Sequence, residues 1–172
     1  MDAICLRNYL LNNFAQGHTN QPSPCASDNG TVSWILLTQV VSASAYAGFQ
    51  WTVHLVVYPQ LAEVPPSAFV AFERRHQRRI SFVVGPLFAA LVLSAALLCV
   101  RRPPGTPLWG VTTVVALVLV VLASTGLLAV PLHRRLEQGW DWESHRRLTH
   151  VDLVRVVAAT LNVAVSVVLV LG

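Results

Sequence analysis

Four apolar stretches dominate this chain, at about 32–58, 80–100, 108–130 and 151–171. Each runs for ~20 residues or more, which at ~1.5 Å of rise per residue crosses a hydrocarbon layer ~30 Å thick. A soluble fold would need a charged surface, and about a quarter of an ordinary soluble domain is charged. Here the share is 12%. Lipid is the solvent this composition fits. Valine and leucine fill the runs; β-branched residues are mediocre helix formers in water, but in lipid the backbone must satisfy its own hydrogen bonds, so such runs are helical. The expectation is an all-α, integral membrane four-helix bundle in the cell membrane, multi-pass, with helices at about 32–58, 67–100, 108–130 and 142–171. Residues 1–31 are expected to form a flexible extracytoplasmic tail.

Every basic residue is an arginine. Eight of the twelve fall between the first and second runs (Arg74, Arg75, Arg78, Arg79) and between the third and fourth (Arg134, Arg135, Arg146, Arg147). Only Arg7, Arg101 and Arg102 lie on the other side, and Arg155 is inside the fourth run. The positive-inside rule then puts both arginine-rich loops in the cytoplasm and both termini outside. Trp34 and Trp109 fit the outer interface, and Tyr58, Trp140 and Trp142 the inner one. The basic charge reads as contact with membrane lipid on the cytoplasmic leaflet, with no nucleic-acid partner. Cys5, Cys25 and Cys99 fall on the outer side, where a Cys5–Cys25 disulfide and free thiols are both open. "NGT" at Asn29 matches a glycosylation acceptor but abuts the membrane.

The two halves resemble each other. The first helix ends at "VVYPQL" and the third at "LAVPLHRRL"; "FERRHQRRI" and "WESHRRL" then lead into the second and fourth. This reads as a duplicated helical hairpin, related by an axis along the membrane normal. Ser67 and Asp141 are the expected N-caps of the second and fourth helices. Ser81, Gly85 and Ala89 form a small-residue stripe suited to close helix approach.

Polar residues inside the runs share faces. On the first helix Gln39, Tyr46, Gln50 and His54 fall on one side. On the fourth, His145, Asp152, Arg155, Asn162 and Ser166 do so, with His150 opposite. Polar groups in lipid face the bundle interior, so these stripes predict a pocket toward the cytoplasmic side. His54, His76, His145, Asp152 and Arg155 are the catalytic candidates. Tyr46, Gln50, His133 and Asn162 are the substrate-binding ones. Arg155, one turn inside an apolar run, is expected to be the most sensitive single residue. Asp152 and Arg155 also stand i,i+3 and would neutralise each other, which needs no function at all.

No motif names a cofactor. Glu73-x-x-His76 has the spacing of di-iron bundles, but the second half carries Glu143-x-His145 instead. A metal would use His54, His76, His133 and His145, and a bis-histidine haem two of them. No phosphate-binding loop, dinucleotide fingerprint or catalytic triad is present.

At "VPLHRRL" and "WESHRRLTHVDLVR" the chain resembles small four-helix bacterial membrane proteins and, more distantly, the anthrone oxygenase-like (DUF1772) family. The likeness spans about residues 32–171. It rests on a Pro-Leu-polar exit from the third helix, a loop with tryptophan, and a polar-x-x-Arg start to the fourth, here Asp152-x-x-Arg155. His133 stands where that family often has Asn. The resemblance implies an oxidoreductase, oxygenase-like, acting on a hydrophobic phenolic or polyketide-like small molecule, with a histidine as base and an arginine holding an enolate or phenolate. The alternative is a non-enzymatic membrane protein that binds lipid headgroups or a partner membrane protein. Substrate and oligomeric state are not legible.

Overall fold

The computed structural model describes residues 29–172, with side chains from Trp34 onward. The tail up to residue 28, with Arg7, Cys5 and Cys25, lies outside the described residues. The described part is helical throughout, and its compact unit is Ile35–Gly172. Helix α1 runs over Asn29–Thr52, passes through a π-helical stretch, Val53–Val57, and ends in Tyr58–Ala62. Helix α2 is Pro66–Val100. Helix α3 comprises Leu108–Ala123, a π stretch Ser124–Ala129, and Val130–Leu136. Helix α4 is Trp142–Leu171. The connections, 63–65, 101–107 and 137–141, are short enough to make successive helices antiparallel.

This is the expected all-α four-helix bundle. Among the described residues, α2, α3 and α4 are long and apolar enough to cross a membrane. α1 carries Gln39, Ser42, Tyr46 and Gln50 along its buried face. The outward faces are apolar and uncovered. Phe82 is 74% exposed, Leu127 74% and Val100 79%. Apolar surface this continuous is an aggregation liability in water and at home in lipid.

Both π stretches stand just ahead of a proline. Pro59 and Pro131 bring no N–H, and their rings crowd the carbonyls four residues back. The wider π turn shifts the register at those points. The two matched exits in the sequence therefore share one local device.

Several local expectations are corrected. α2 begins at Pro66 with Pro65 as its cap residue, and no side chain caps it, so Ser67 is not the N-cap. A proline at the first helical position has no N–H to satisfy, which removes the need. Asp141 does cap α4: its carboxylate accepts from Glu143 N at 3.4 Å and Ser144 N at 3.0 Å. Hydrogen bonds from Ser144, side chain and then backbone, hold the Asp141 carboxyl below its ordinary value. The Ser81-Gly85-Ala89 stripe faces outward, and a Cβ on Gly85 would meet nothing. The close approach is at Gly110 instead, where a Cβ would run into the side chain of Leu169 on α4. Tyr58 is no interfacial anchor, being 2% exposed.

The core has two parts. One packs Tyr46, Leu91, Leu98, Val114 and Val121 with Ala158 and Ala159. The other packs Tyr58, Leu61, Phe69, Leu132, Leu136 and Leu148 near the arginine-rich loops. The buried acids lie beside this second part.

Candidate functional site

Asp152 has no exposed surface. Its Oδ1 accepts from Arg155 Nη2 at 2.7 Å and from Gln50 Nε2 at 3.4 Å. Its Oδ2 lies 3.0 Å from His54 Nδ1. Arg155 Nη2 also donates to the Tyr58 hydroxyl at 3.1 Å. The pair one turn apart on α4 is thus extended by three α1 residues, and it fastens α4 to α1. Asp152 has more partners than Arg155 and is the hub of the network. The buried Arg155 Nε makes no hydrogen bond.

A second buried acid does the same for α2 and α3. Glu73 is also fully buried. Its Oε1 lies 2.8 Å from His133 Nδ1 and accepts from Gln77 Nε2 at 2.8 Å. The Gln77 amide also touches His133 Nδ1. Glu73 Oε2 has no partner. Tyr58 stands between the two networks: its hydroxyl meets Arg155, and its ring stacks on His133 with centroids 6.3 Å apart.

A cavity of about 170 Å³ lies between them. α1 contributes Phe49, Gln50, Val53 and Tyr58 to its wall, and α4 contributes Arg155. α2 adds His76, Gln77, Ile80, Ser81 and Val84; α3 adds Thr125, Ala129, Val130 and His133. Ser81 and Val130 are exposed, so the cavity opens sideways between α2 and α3. The backbones of these two helices pack closely along Leu108–Ala123 and not along the π stretch beyond it. Past the π stretch, side chains of Glu73 and Gln77 on α2 reach His133 on α3. A cavity of ~150 Å³ holds one benzene-sized ring, so this one takes a single ring.

Of the nine candidates read from the sequence, Gln50, His76, His133 and Arg155 line the cavity. Asp152 and His54 stand behind Arg155 as its counter-ion and that counter-ion's partner. Three are elsewhere. Tyr46 packs edge-on against Phe88, 5.8 Å between centroids. Asn162 belongs to a separate polar cluster: its Oδ1 accepts from Gln39 Nε2 at 3.0 Å and from Ser166 Oγ at 3.2 Å. His145 donates through Nε2 to the Tyr58 carbonyl at 3.0 Å and lies beside Trp140 and Trp142.

The histidines do not gather around one point. Among the described residues no three His, Cys, Asp or Glu side chains could share a metal ion. Each of His54, His133 and His145 faces a different acceptor instead.

The sequence missed Glu73, Gln77 and Tyr58 as site residues. A signal for the first two existed. Phe69, Glu73, Gln77 and Ile80 recur at helical spacing on the face that α2 buries, and Phe69 and Glu73 are both fully buried. An acid on an apolar stripe is the mark of a buried partner. Tyr58 gave no such signal, since a tyrosine at a helix end reads equally as an interfacial anchor.

No protein-family profile, curated protein sequence or solved structure matches the chain. Function has to be read from the site itself.

Proposed function

We propose that the chain is a multi-pass membrane protein, with α1 as a fourth span, whose lateral cavity admits a small hydrophobic ring compound from the bilayer and acts on it as an oxidoreductase. The observation that carries this reading is the cavity: about 170 Å³, with more apolar than polar surface, exposed residues of α2 and α3 in its wall, and edged by Arg155, Tyr58 and His133. Such a site is what a small-molecule pocket needs, mostly apolar with a few convergent polar groups. The buried arginine is the natural partner for an oxygen that gains negative charge, and a carboxylate-held histidine is the natural base. The reaction class comes from the anthrone oxygenase-like resemblance. The cavity narrows its substrate, because a tricyclic anthrone is too large for a single-ring space. The arginine asymmetry supports termini outside and the cavity toward the cytoplasmic leaflet.

The non-enzymatic alternative is favoured by one observation. Asp152 is closed: both oxygens are paired, as a purely structural network requires. Ligand-dependent stability separates the two. A compound that binds the folded state at ~100 times its Kd stabilises it by ~2.7 kcal/mol. Benzene and phenol should raise the unfolding temperature of the protein in lipid nanodiscs, and Ala129→Leu, which fills the cavity, should abolish the rise. No shift with any ring compound, or an equal shift in the filled variant, would overturn the proposal.

A further inference from the structure

We propose that His133 accepts the proton of a monocyclic phenol bound in the cavity, with Glu73 positioning the imidazole and Arg155 holding the phenolate oxygen. This rests on the cavity reading above and names the ligand class and the base. His133 Nδ1 lies 2.8 Å from Glu73 Oε1, which can only accept, and the Gln77 amide touches the same nitrogen. In that arrangement Nδ1 carries the hydrogen and Nε2 the lone pair. Two histidines line the cavity, His76 and His133; Nε2 of His133 is the basic nitrogen of the one that a carboxylate positions. Arg155 lines the same cavity and keeps a buried Nε without a partner. Tyr58 touches both His133 and Arg155, so the base and the cation share a neighbour in the wall, which Phe49, Val53, Ile80 and Val84 line together with the polar Gln50, His76, Gln77, Ser81 and Thr125.

The entrance selects the chemical class. A ligand that arrives through lipid must be neutral on the way in. A carboxylic acid, with a pKa near ~4, would be charged at neutral pH; a phenol, near ~10, would not. An amine cation would be repelled by Arg155, and an alkanol would not ionise. Of these four classes the phenol alone enters neutral and can ionise inside. In the step itself the phenol O–H bond breaks and an N–H bond forms at His133 Nε2. The electron pair stays on oxygen. The imidazolium faces the Glu73 carboxylate, the phenolate faces the Arg155 guanidinium, and the net charge is unchanged.

The probe is 4-nitrophenol, which is colourless as the phenol and yellow as the phenolate. It is titrated into protein in nanodiscs at a pH where the free probe is mostly neutral. Saturable growth of the phenolate band is expected with the native chain and with His150→Gln, whose side chain lies outside the cavity. Ala129→Leu should abolish it. His133→Gln should bind the probe without ionising it. Glu73→Gln should move the midpoint of the bound probe up by about one pH unit, a tenfold change in its ionisation constant. Nitrobenzene, which has the ring but no proton to give, is the companion probe. If both compounds stabilise the native chain and no phenolate forms, the proton-acceptor proposal is wrong and the cavity reading stands. If neither compound binds, both fall. Phenolate that forms equally well in Ala129→Leu would place the binding elsewhere and overturn the proposal.

Discussion

Asp152 and Arg155 form one ion pair, but their removal should not cost the same. Asp152→Leu leaves a guanidinium buried in the bundle with a single neutral hydrogen bond, from Nη2 to Tyr58 at 3.1 Å. Arginine cannot shed its proton to escape. A buried charge stranded in this way typically costs ~3–5 kcal/mol. Arg155→Met leaves a carboxylate that still has His54 at 3.0 Å and Gln50 at 3.4 Å. With those two partners kept, the loss is close to one charge-assisted hydrogen bond, ~1.5–3 kcal/mol. Adding Arg155→Met to Asp152→Leu removes the stranded charge and should recover stability even though it deletes a second native residue, as replacements of whole buried pairs do. The assay is unfolding in mixed micelles, followed by helix content as sodium dodecyl sulfate is raised. The expected order of stability is native, then Arg155→Met and the double variant, with Asp152→Leu last. Equal single-variant losses, or a double variant weaker than Asp152→Leu, would refute the hub role of Asp152.

Gly110→Ala should destabilise by ~1–3 kcal/mol, the usual range for overpacking, because its Cβ meets Leu169; Leu169→Ala in the same chain should relieve part of the loss in a thermal melt. Asp141 caps α4 with a carboxyl held below its ordinary value. Its contribution is therefore present above the unfolded-state value and fades as pH falls through the folded-state one, so Asp141→Asn should flatten the acid limb of the stability curve while leaving the neutral region much less affected. Cys99, exposed near the end of α2 away from the arginine-rich loops, tests the orientation: with Cys5 and Cys25 replaced by serine, an impermeant maleimide should label it in intact cells, and labelling only after permeabilisation would reverse the topology.

The helices were legible because lipid leaves a long apolar run one outcome. The polar stripes were legible for the same reason, and they named Gln50, His54, Asp152 and Arg155 in or directly behind the cavity wall. A stripe gives a direction, however, and no depth along the bundle. Asn162 shares a face with Asp152 yet meets Gln39 and Ser166 in a separate cluster. His145 points inward but is taken by the Tyr58 carbonyl. The histidines were expected to gather; instead His54 and His133 each found a carboxylate on another helix, a pairing that no spacing within one helix can specify. The small-residue stripe on α2 misled because close approach depends on which face the neighbour takes, and α2 presents that stripe outward.

The central claim, a lipid-accessible cavity that holds one ring between Tyr58, His133 and Arg155, is tested most directly by crystals grown in a lipid phase and soaked with 4-bromophenol. Bromine scatters anomalously, so its position can be found independently of the protein. The expected result is a bromine site inside the cavity, with the hydroxyl toward His133 and Arg155, that disappears in Ala129→Leu. Bromine found only on the lipid-facing surface, with the cavity empty in the native chain, would contradict the account.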